Sequence, residues 1–391
     1  MNFTKTEETK AIWYKGELKP LPVYKIPLNS LIYNKYNGRI KSAVLSYESL
    51  RGSLNPKVEK DKIIIENYLF ESAENRNEKT IQSLKDYGQQ EIGIVTNDLI
   101  VIDGNRRASL LSKLYREGSN VDYFKAIILP DNLDQNELEI IKLETNYQMG
   151  VDNKVEYKPI EKYLRCKELI TKFKISINEV STLMGEKPSR INQWMDILTL
   201  MEEYLKYLDS PEIYTRLDKK EGHFVDLNNY LKQYPNNREL KEVYFDFIRL
   251  GIPVQRARII GNPKDNQSLY SNENLWNPFY IEHKSIKENL PEKTFSTLKE
   301  ENPEMSNEQI FGNIDNYFIE KLKTNLVNNL VQGEIAIKEL KIKNNIKSKL
   351  QEISKYIINI DIKNIDNLDK IDIKNLLNSI STESISKASQ L

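Results

Sequence analysis

Cysteine is nearly absent: Cys166 stands alone in 391 residues. A single thiol excludes an intrachain disulfide and any zinc site built on cysteines. It lies between Leu164 and Leu169 in a helical pattern and reads as a packing residue. Histidine is almost as scarce. His223 and His283 are far apart in sequence, so a histidine metal site or a serine–histidine pair would need partners brought in by the fold. No apolar run approaches the about 20 residues that span a bilayer, and residues 1–10 lack the apolar core of a secretory signal. A cytoplasmic chain with no membrane partner is the expectation. Charge of one sign is not in excess either, since Lys+Arg and Asp+Glu both number 57. That removes any global pull toward nucleic acid or lipid, so a nucleic-acid site has to be a local patch.

What the chain does have is one dense motif, Ile100-Val101-Ile102-Asp103-Gly104-Asn105-Arg106-Arg107-Ala108-Ser109. An apolar run stops at Asp-Gly, two arginines follow, and Leu110, Leu111 and Leu114 then take up a helical spacing. The pattern reads as strand, tight turn and helix, with fixed positive charge at the helix start. A helix N-terminus already offers free backbone N–H groups and a partial positive charge. Guanidinium groups placed there can grip phosphate bidentately. The plainer alternative is an ordinary turn whose arginines pair with nearby acids.

The spacing of apolar residues organises the rest. Residues 23–26 read as a short strand and 34–39 as a turn-rich loop. Residues 41–78 hold two amphipathic helices parted by Asn55-Pro56. A helix over 80–87 ends at Gly88. Strands at 92–95 and 99–102 form a hairpin, and a helix leads to Gly118. A strand at 124–129 follows, then a helix capped by Asp134. The fold class is therefore α+β: a small mixed-sheet domain over residues 1–150, with 41–78 as an insertion, followed by a mostly helical region. Within that region, 177–194 predicts a helix-turn-helix with Gly185 in the turn and Ser189 as N-cap, inside a domain over 151–209. Val180, Met184, Ile191 and Trp194 supply the apolar contacts between its helices. Residues 210–315 predict short helices and loops, with a linker-like stretch over 261–273. In 316–391, Ile346, Leu350, Ile353 and Ile357 repeat at heptad spacing, and Ile362, Ile365, Leu368 and Leu376 suggest a further helix.

The order of these pieces resembles the ParB/sulfiredoxin superfamily, and within it the ParB-like proteins. Asn34-Lys35-Tyr36-Asn37-Gly38-Arg39 is similar to the family's first box, with Lys35 and Gly38 where prolines are usual. Ser83-Leu84-Lys85-Asp86-Tyr87-Gly88 is similar to the segment before the next strand, and Asp103-Gly104-Asn105-Arg106-Arg107 to the second box, a phosphate-binding turn. The resemblance implies an N-terminal nucleotide-binding domain followed by a DNA-reading helix-turn-helix. It implies Asn37, Arg39, Gly104, Asn105, Arg106 and Arg107 as nucleotide contacts, and Mg²⁺ with an NTP, CTP or ATP, as cofactor. The third box is only echoed: Glu144-Thr145-Asn146-Tyr147-Gln148-Met149 keeps a carboxylate and an amide but lacks the arginine. Glu144 and Asn146 are the oxygen ligands it leaves for Mg²⁺. Hydrolysis, with Glu144 and Asp103 as the carboxylates at hand, is expected to be slow.

In a helix-turn-helix the start of the second helix enters the major groove, which places Ser189, Arg190, Asn192 and Gln193 near DNA. Residues 151–207 carry a net charge of only +1, little excess for phosphate contacts. The leading expectation is a ParB-like, nucleotide-dependent DNA-binding protein, a homodimer or higher oligomer. Its roles would be plasmid or mobile-element maintenance, regulation or defence against foreign DNA. The alternatives are a ParB-fold enzyme, an ATP-dependent kinase or a nuclease, and a nucleotide-sensing assembly module that oligomerises through its C-terminal helices.

Overall fold

Neighbouring residues of the central strands serve opposite faces of one sheet. Val95, Val101 and Ala126 belong to one core, and their sequence neighbours Ile94, Ile102 and Ile127 to another, all buried. A strand projects alternate side chains to opposite faces, so a sheet covered on both sides needs a continuous apolar run. In the computed structural model, which describes residues 3–149, 157–234, 237–263, 268–288, 293–361 and 369–390, that sheet comprises β1 (Thr4–Tyr14), β2 (Glu17–Pro27), β3 (Ile32–Tyr33), β4 (Gly93–Val95), β5 (Ile100–Asp103) and β6 (Tyr123–Ile128). Their spatial order is β1-β2-β6-β4-β5-β3. β1, β2 and β6 pair antiparallel, β4 lies parallel to β6, β4 and β5 form the expected hairpin, and β3 lies parallel to β5.

The first helices are α1 (Lys41–Arg51), α2 (Glu59–Glu71), α3 (Glu74–Tyr87), α4 (Asn105–Arg116) and α5 (Glu137–Met149). Residues of α1, α2, α3 and α4 join the first core, and Ile140 and Leu143 of α5 join the second. The α2 segment, read from sequence as part of an insertion, is integral to the sheet's cover. Ile65 and Leu69 are fully buried, each contributing about 1.5–3 kcal/mol. Tyr33 of β3 donates to Glu66 Oε1 at 2.8 Å, its hydroxyl oxygen is hydrogen-bonded with Ser112 Oγ at 3.0 Å, and Arg116 closes on Glu66 at 2.6 Å.

The sequence reading missed β1. Its polar outer face hides the alternation that buries Ile12 and Tyr14, and Lys15-Gly16, both with positive φ, closes the hairpin without an Asn-Gly signal. α3 starts at Glu74 rather than at 80, because its first turns are polar and exposed. α5 begins at Glu137, three residues beyond the expected Asp134 cap.

The helical part continues with α6 (Pro159–Thr171), α7 (Ile177–Met184) and α8 (Pro188–Tyr207), then α9 (Glu221–Gln233), α10 (Arg238–Arg249), α11 (Val254–Gly261), α12 (Glu273–Glu288) and α13 (Phe295–Glu301). α14 (Asn307–Ile358) and α15 (Asp369–Ala388) complete the described elements. By contact density the chain divides into two compact units, Met1–Asn328 and Asn329–Leu391. In the second unit Ile346, Leu350, Ile353 and Ile357 are exposed. Ile362, Ile365 and Leu368 lie outside the described residues. Among the described residues no helix is long and apolar enough to cross a membrane.

Candidate functional site

Because β3 and β5 run parallel, their C-terminal ends emerge at the same edge of the sheet. The 34–39 loop leaves one and the 103–107 turn leaves the other, so two segments about 70 residues apart in sequence meet there. One hydrogen-bond pair fixes the meeting. Asn105 accepts from the Asn34 N–H at 3.0 Å and donates to the Val101 carbonyl at 2.7 Å. Gly104 precedes α4 in the left-handed region, at φ +94°, and a Cβ there would sit 2.8 Å from the Phe124 ring. Only glycine takes that conformation without strain.

Around this junction lies a cleft of about 640 Å³. Asn37, Arg39, Asp103, Gly104, Asn105, Arg106 and Arg107 line it, so the structure does bring the sequence-predicted segments together. Asn37 and Asn105 are buried, and their side chains hold the backbone rather than point free into the cleft. Arg107 donates to the Glu91 carbonyl at 2.8 Å. Arg106 differs: its Nη1 is buried without a hydrogen-bond partner among the described residues, and its Nη2 reaches Thr80 only at 3.5 Å. Burial, and then the positive charges of Arg39, Arg107 and Arg76, hold the Arg106 guanidinium below the usual arginine range. Arg39 stacks over the ring of Tyr157 at 4.3 Å. A half-buried guanidinium crowded by like charge, with one buried nitrogen unpaired among the described residues, has a donor that an anion can take.

Sequence reasoning missed Lys10 of β1, Tyr147 of α5, and Lys79 and Thr80 of α3, all of which line the cleft. The α3 set was findable: Lys79, Thr80, Ser83 and Leu84 share one helical face, and Ser83 and Gly88 lay in a motif already singled out.

The third-box residues are placed apart. Glu144 is 1 % exposed. Its Oε1 accepts from Asn37 Nδ2 at 3.1 Å and from the Gly38 N–H at 3.4 Å, and its Oε2 accepts from Arg165 Nη2 at 2.9 Å and Asn34 Nδ2 at 3.4 Å. Asn146 is exposed. Arg165, on α6, also meets Glu168 at 3.0 Å, and Glu168 meets Lys41 of α1 at 2.6 Å. Behind the cleft, therefore, a buried chain of alternating charge ties the 34–41 segment to α6. Glu161 of α6 adds a second tie, accepting from the N–H and, at 2.6 Å, the hydroxyl of Ser42 at the start of α1.

α7 and α8 make the expected helix pair. Gly185 takes a left-handed φ of 66°, and Val180, Met184, Ile191 and Trp194 are buried. The cap differs from expectation. Lys187 holds the N-cap position of α8 and Pro188 the first turn, so Ser189 lies inside the helix, while Ser176 caps α7 by accepting from the Glu179 N–H. Ser189, Arg190 and Asn192 are exposed and Gln193 half-buried, with Arg190 donating to Gln193 at 3.1 Å. Cys166 is fully buried and its thiol is pushed up to about 12 by burial, as a packing role requires.

No family model matches the chain, and no curated protein matches it. Solved structures do. One is the C-terminally truncated chromosome-partitioning protein ParB from Caulobacter crescentus, complexed to the centromeric parS site (16% identity, 61% of this chain, 97% of that one, TM-score 0.32). Another is the same truncated protein complexed with CTP-gamma-S (16%, 57% and 98%, TM-score 0.18). A third is a Pnob8-like ParB-N domain (14%, 70% and 91%, TM-score 0.25). The chain resembles ParB structures. Its mixed sheet followed by helices is the fold class expected from sequence, and the functional reading below is carried by the chain's own residues.

Proposed function

We propose that this chain is a ParB-like, nucleotide-dependent DNA-binding protein. The observation that carries the nucleotide half is Arg106: a guanidinium crowded by Arg39, Arg76 and Arg107 at the start of α4, with Nη1 buried and unbonded among the described residues. A nucleotide's phosphates would take that donor and relieve the like-charge crowding, with Arg39 and the start of α4 around them. The DNA half rests on the exposed Ser189, Arg190 and Asn192 at the start of α8, with Gln193 braced by Arg190. The buried bonds from Asn34, Asn37 and Gly38 to Glu144 of α5, which Arg165 of α6 also holds, and from Lys41 and Ser42 directly to α6 offer a route between the two. If a bound nucleotide is hydrolysed, Asp103 is the carboxylate on the turn itself. The exposed stripe Ile346, Leu350, Ile353 and Ile357 supports self-association through the second unit. Light scattering of Leu350→Lys/Ile353→Lys tests that, and an unchanged mass would remove it.

The central test is calorimetric titration of CTP and ATP into wild type and Arg106→Ala/Arg107→Ala, paired with a salt-dependent gel shift on duplex DNA. Binding lost in the double variant, and a gel shift that responds to nucleotide in wild type alone, are the expected results. Nucleotide affinity unchanged by the double substitution would sink the reading.

A further inference from the structure

Arg39 is held differently from Lys10, Arg106 and Arg107, which line the same cleft. Lys10 donates to the Ile92 carbonyl at 2.6 Å and Arg107 to the Glu91 carbonyl at 2.8 Å, and Arg106 reaches Thr80 at 3.5 Å. The guanidinium of Arg39 makes no hydrogen bond or ion pair among the described residues. It lies instead over the ring of Tyr157, 4.3 Å from the centroid. The two modes leave different chemistry behind. A carboxylate grips a guanidinium through its N–H donors and so consumes them. An aromatic ring attracts the cation through the face of the planar group, and the donors, which lie in that plane, stay open. A ring therefore fixes where the charge sits without spending what an anion needs.

Tyr157 is itself firmly placed. It is 4 % exposed and stands directly before Lys158 and Pro159, which open α6. That helix is bound to both sequence flanks of Arg39. Glu161 accepts from the Ser42 hydroxyl at 2.6 Å, and Arg165 meets Glu144, which accepts from the Gly38 N–H at 3.4 Å. The Arg39 N–H donates to Asn37 Oδ1 at 3.1 Å. The backbone of Arg39 and the ring above its end thus belong to one frame, and the long side chain is held between them. Ordering a side chain of that freedom at the moment of binding costs roughly two- to tenfold in affinity.

We propose that Tyr157 is the positioning residue for Arg39: its ring orders the guanidinium in the cleft beforehand and leaves the N–H donors for the phosphates of the ligand. The inference rests on the nucleotide reading above and deepens it, since it names a residue that serves the site through another side chain. It assigns the work to the face of the ring. Phenylalanine keeps that face, whereas leucine keeps apolar bulk without it.

The experiment is calorimetric titration of inorganic pyrophosphate, CTP and ATP, in buffer containing Mg²⁺, into the full chain. The variants are Tyr157→Phe, Tyr157→Leu, Arg39→Ala and Tyr157→Leu/Arg39→Ala, each checked for folding by circular dichroism. Tyr157→Met, a flexible filler, takes the place of Tyr157→Leu if the latter unfolds. Tyr157→Phe should bind as wild type does. Tyr157→Leu should weaken all three ligands by about two- to tenfold, and it should cost nothing further once Arg39 is gone. Equal affinity of Tyr157→Leu and wild type, or a loss that persists undiminished in the Arg39→Ala background, would overturn this inference and leave the nucleotide site standing. No binding of any of the three ligands to wild type would overturn the nucleotide reading itself, and this inference with it.

Discussion

Two arginines less than 60 residues apart in sequence, Arg165 buried and Arg106 half-buried, live in opposite environments. Arg165 meets Glu144 at 2.9 Å and Glu168 at 3.0 Å, and only its Nε lacks a partner. Arg106 also has one buried nitrogen without a partner, but its charged neighbours are Arg39, Arg107 and Arg76. In the first case the fold has matched the charge it buried. In the second it has concentrated charge of one sign, with one buried nitrogen unpaired among the described residues. Such crowding costs stability, which is why the proposed function assigns Arg106 to binding rather than to folding.

The comparison breaks most sharply at Arg165. Replacing it with Met strands Glu144 in the interior, and chemical denaturation should show a loss of about 3–5 kcal/mol. A loss below about 1 kcal/mol would mean that the Arg165–Glu144 pair is not formed. Next comes Glu161, whose carboxyl is raised by burial to about 7 despite the opposing bonds from Ser42. A raised carboxyl favours the protonated folded state. Its contribution is thus fully present below the ordinary glutamate value of 4.5 and is lost as pH rises through about 7. Across that window wild type should lose about 3 kcal/mol, at 1.36 kcal/mol per pH unit. Glu161→Gln should flatten that part of the profile, and an unflattened profile would assign the slope to other groups.

Gly104→Ala should follow. The φ of +94° and the Phe124 ring at 2.8 Å together cost about 1–3 kcal/mol, with nucleotide affinity falling as the start of α4 shifts. The smallest change in stability, and the most telling, belongs to Arg106→Ala. Thermal denaturation without nucleotide should move by no more than about 0.5 kcal/mol, or toward higher stability, since the substitution removes like-charge crowding. A large loss would place Arg106 with Arg165 as a structural cation and erase the contrast.

Much of this was legible along the chain. The Asp-Gly stop, the double arginine and the leucine spacing after it mark a strand, a turn and a helix start, because each follows from local backbone geometry and side-chain period. The helix pair around Gly185 was legible for the same reason. The hairpin partner β1 was not, since its exposed face carries polar residues and its turn, Lys15-Gly16, lacks the usual signal. Nor was the partner of Glu144. The sequence shows a carboxylate with an amide two residues on, a pattern fit for a cation, and nothing local says that Arg165 will reach it.

The amino-acid order by itself determined that a strand, a turn and a helix follow one another around Asp103-Gly104, which glycine there must turn left-handed, and which arginines sit at that helix start. All of these depend on neighbours within a few residues. The tertiary structure alone decided which charges are spent. The parallel pairing of β3 with β5 brings the 34–39 loop to the 103–107 turn, and the placement of α6 beside α5 puts Arg165 on Glu144. Charge matching depends on distance in space, and for buried groups that distance is set by the fold rather than by spacing along the chain.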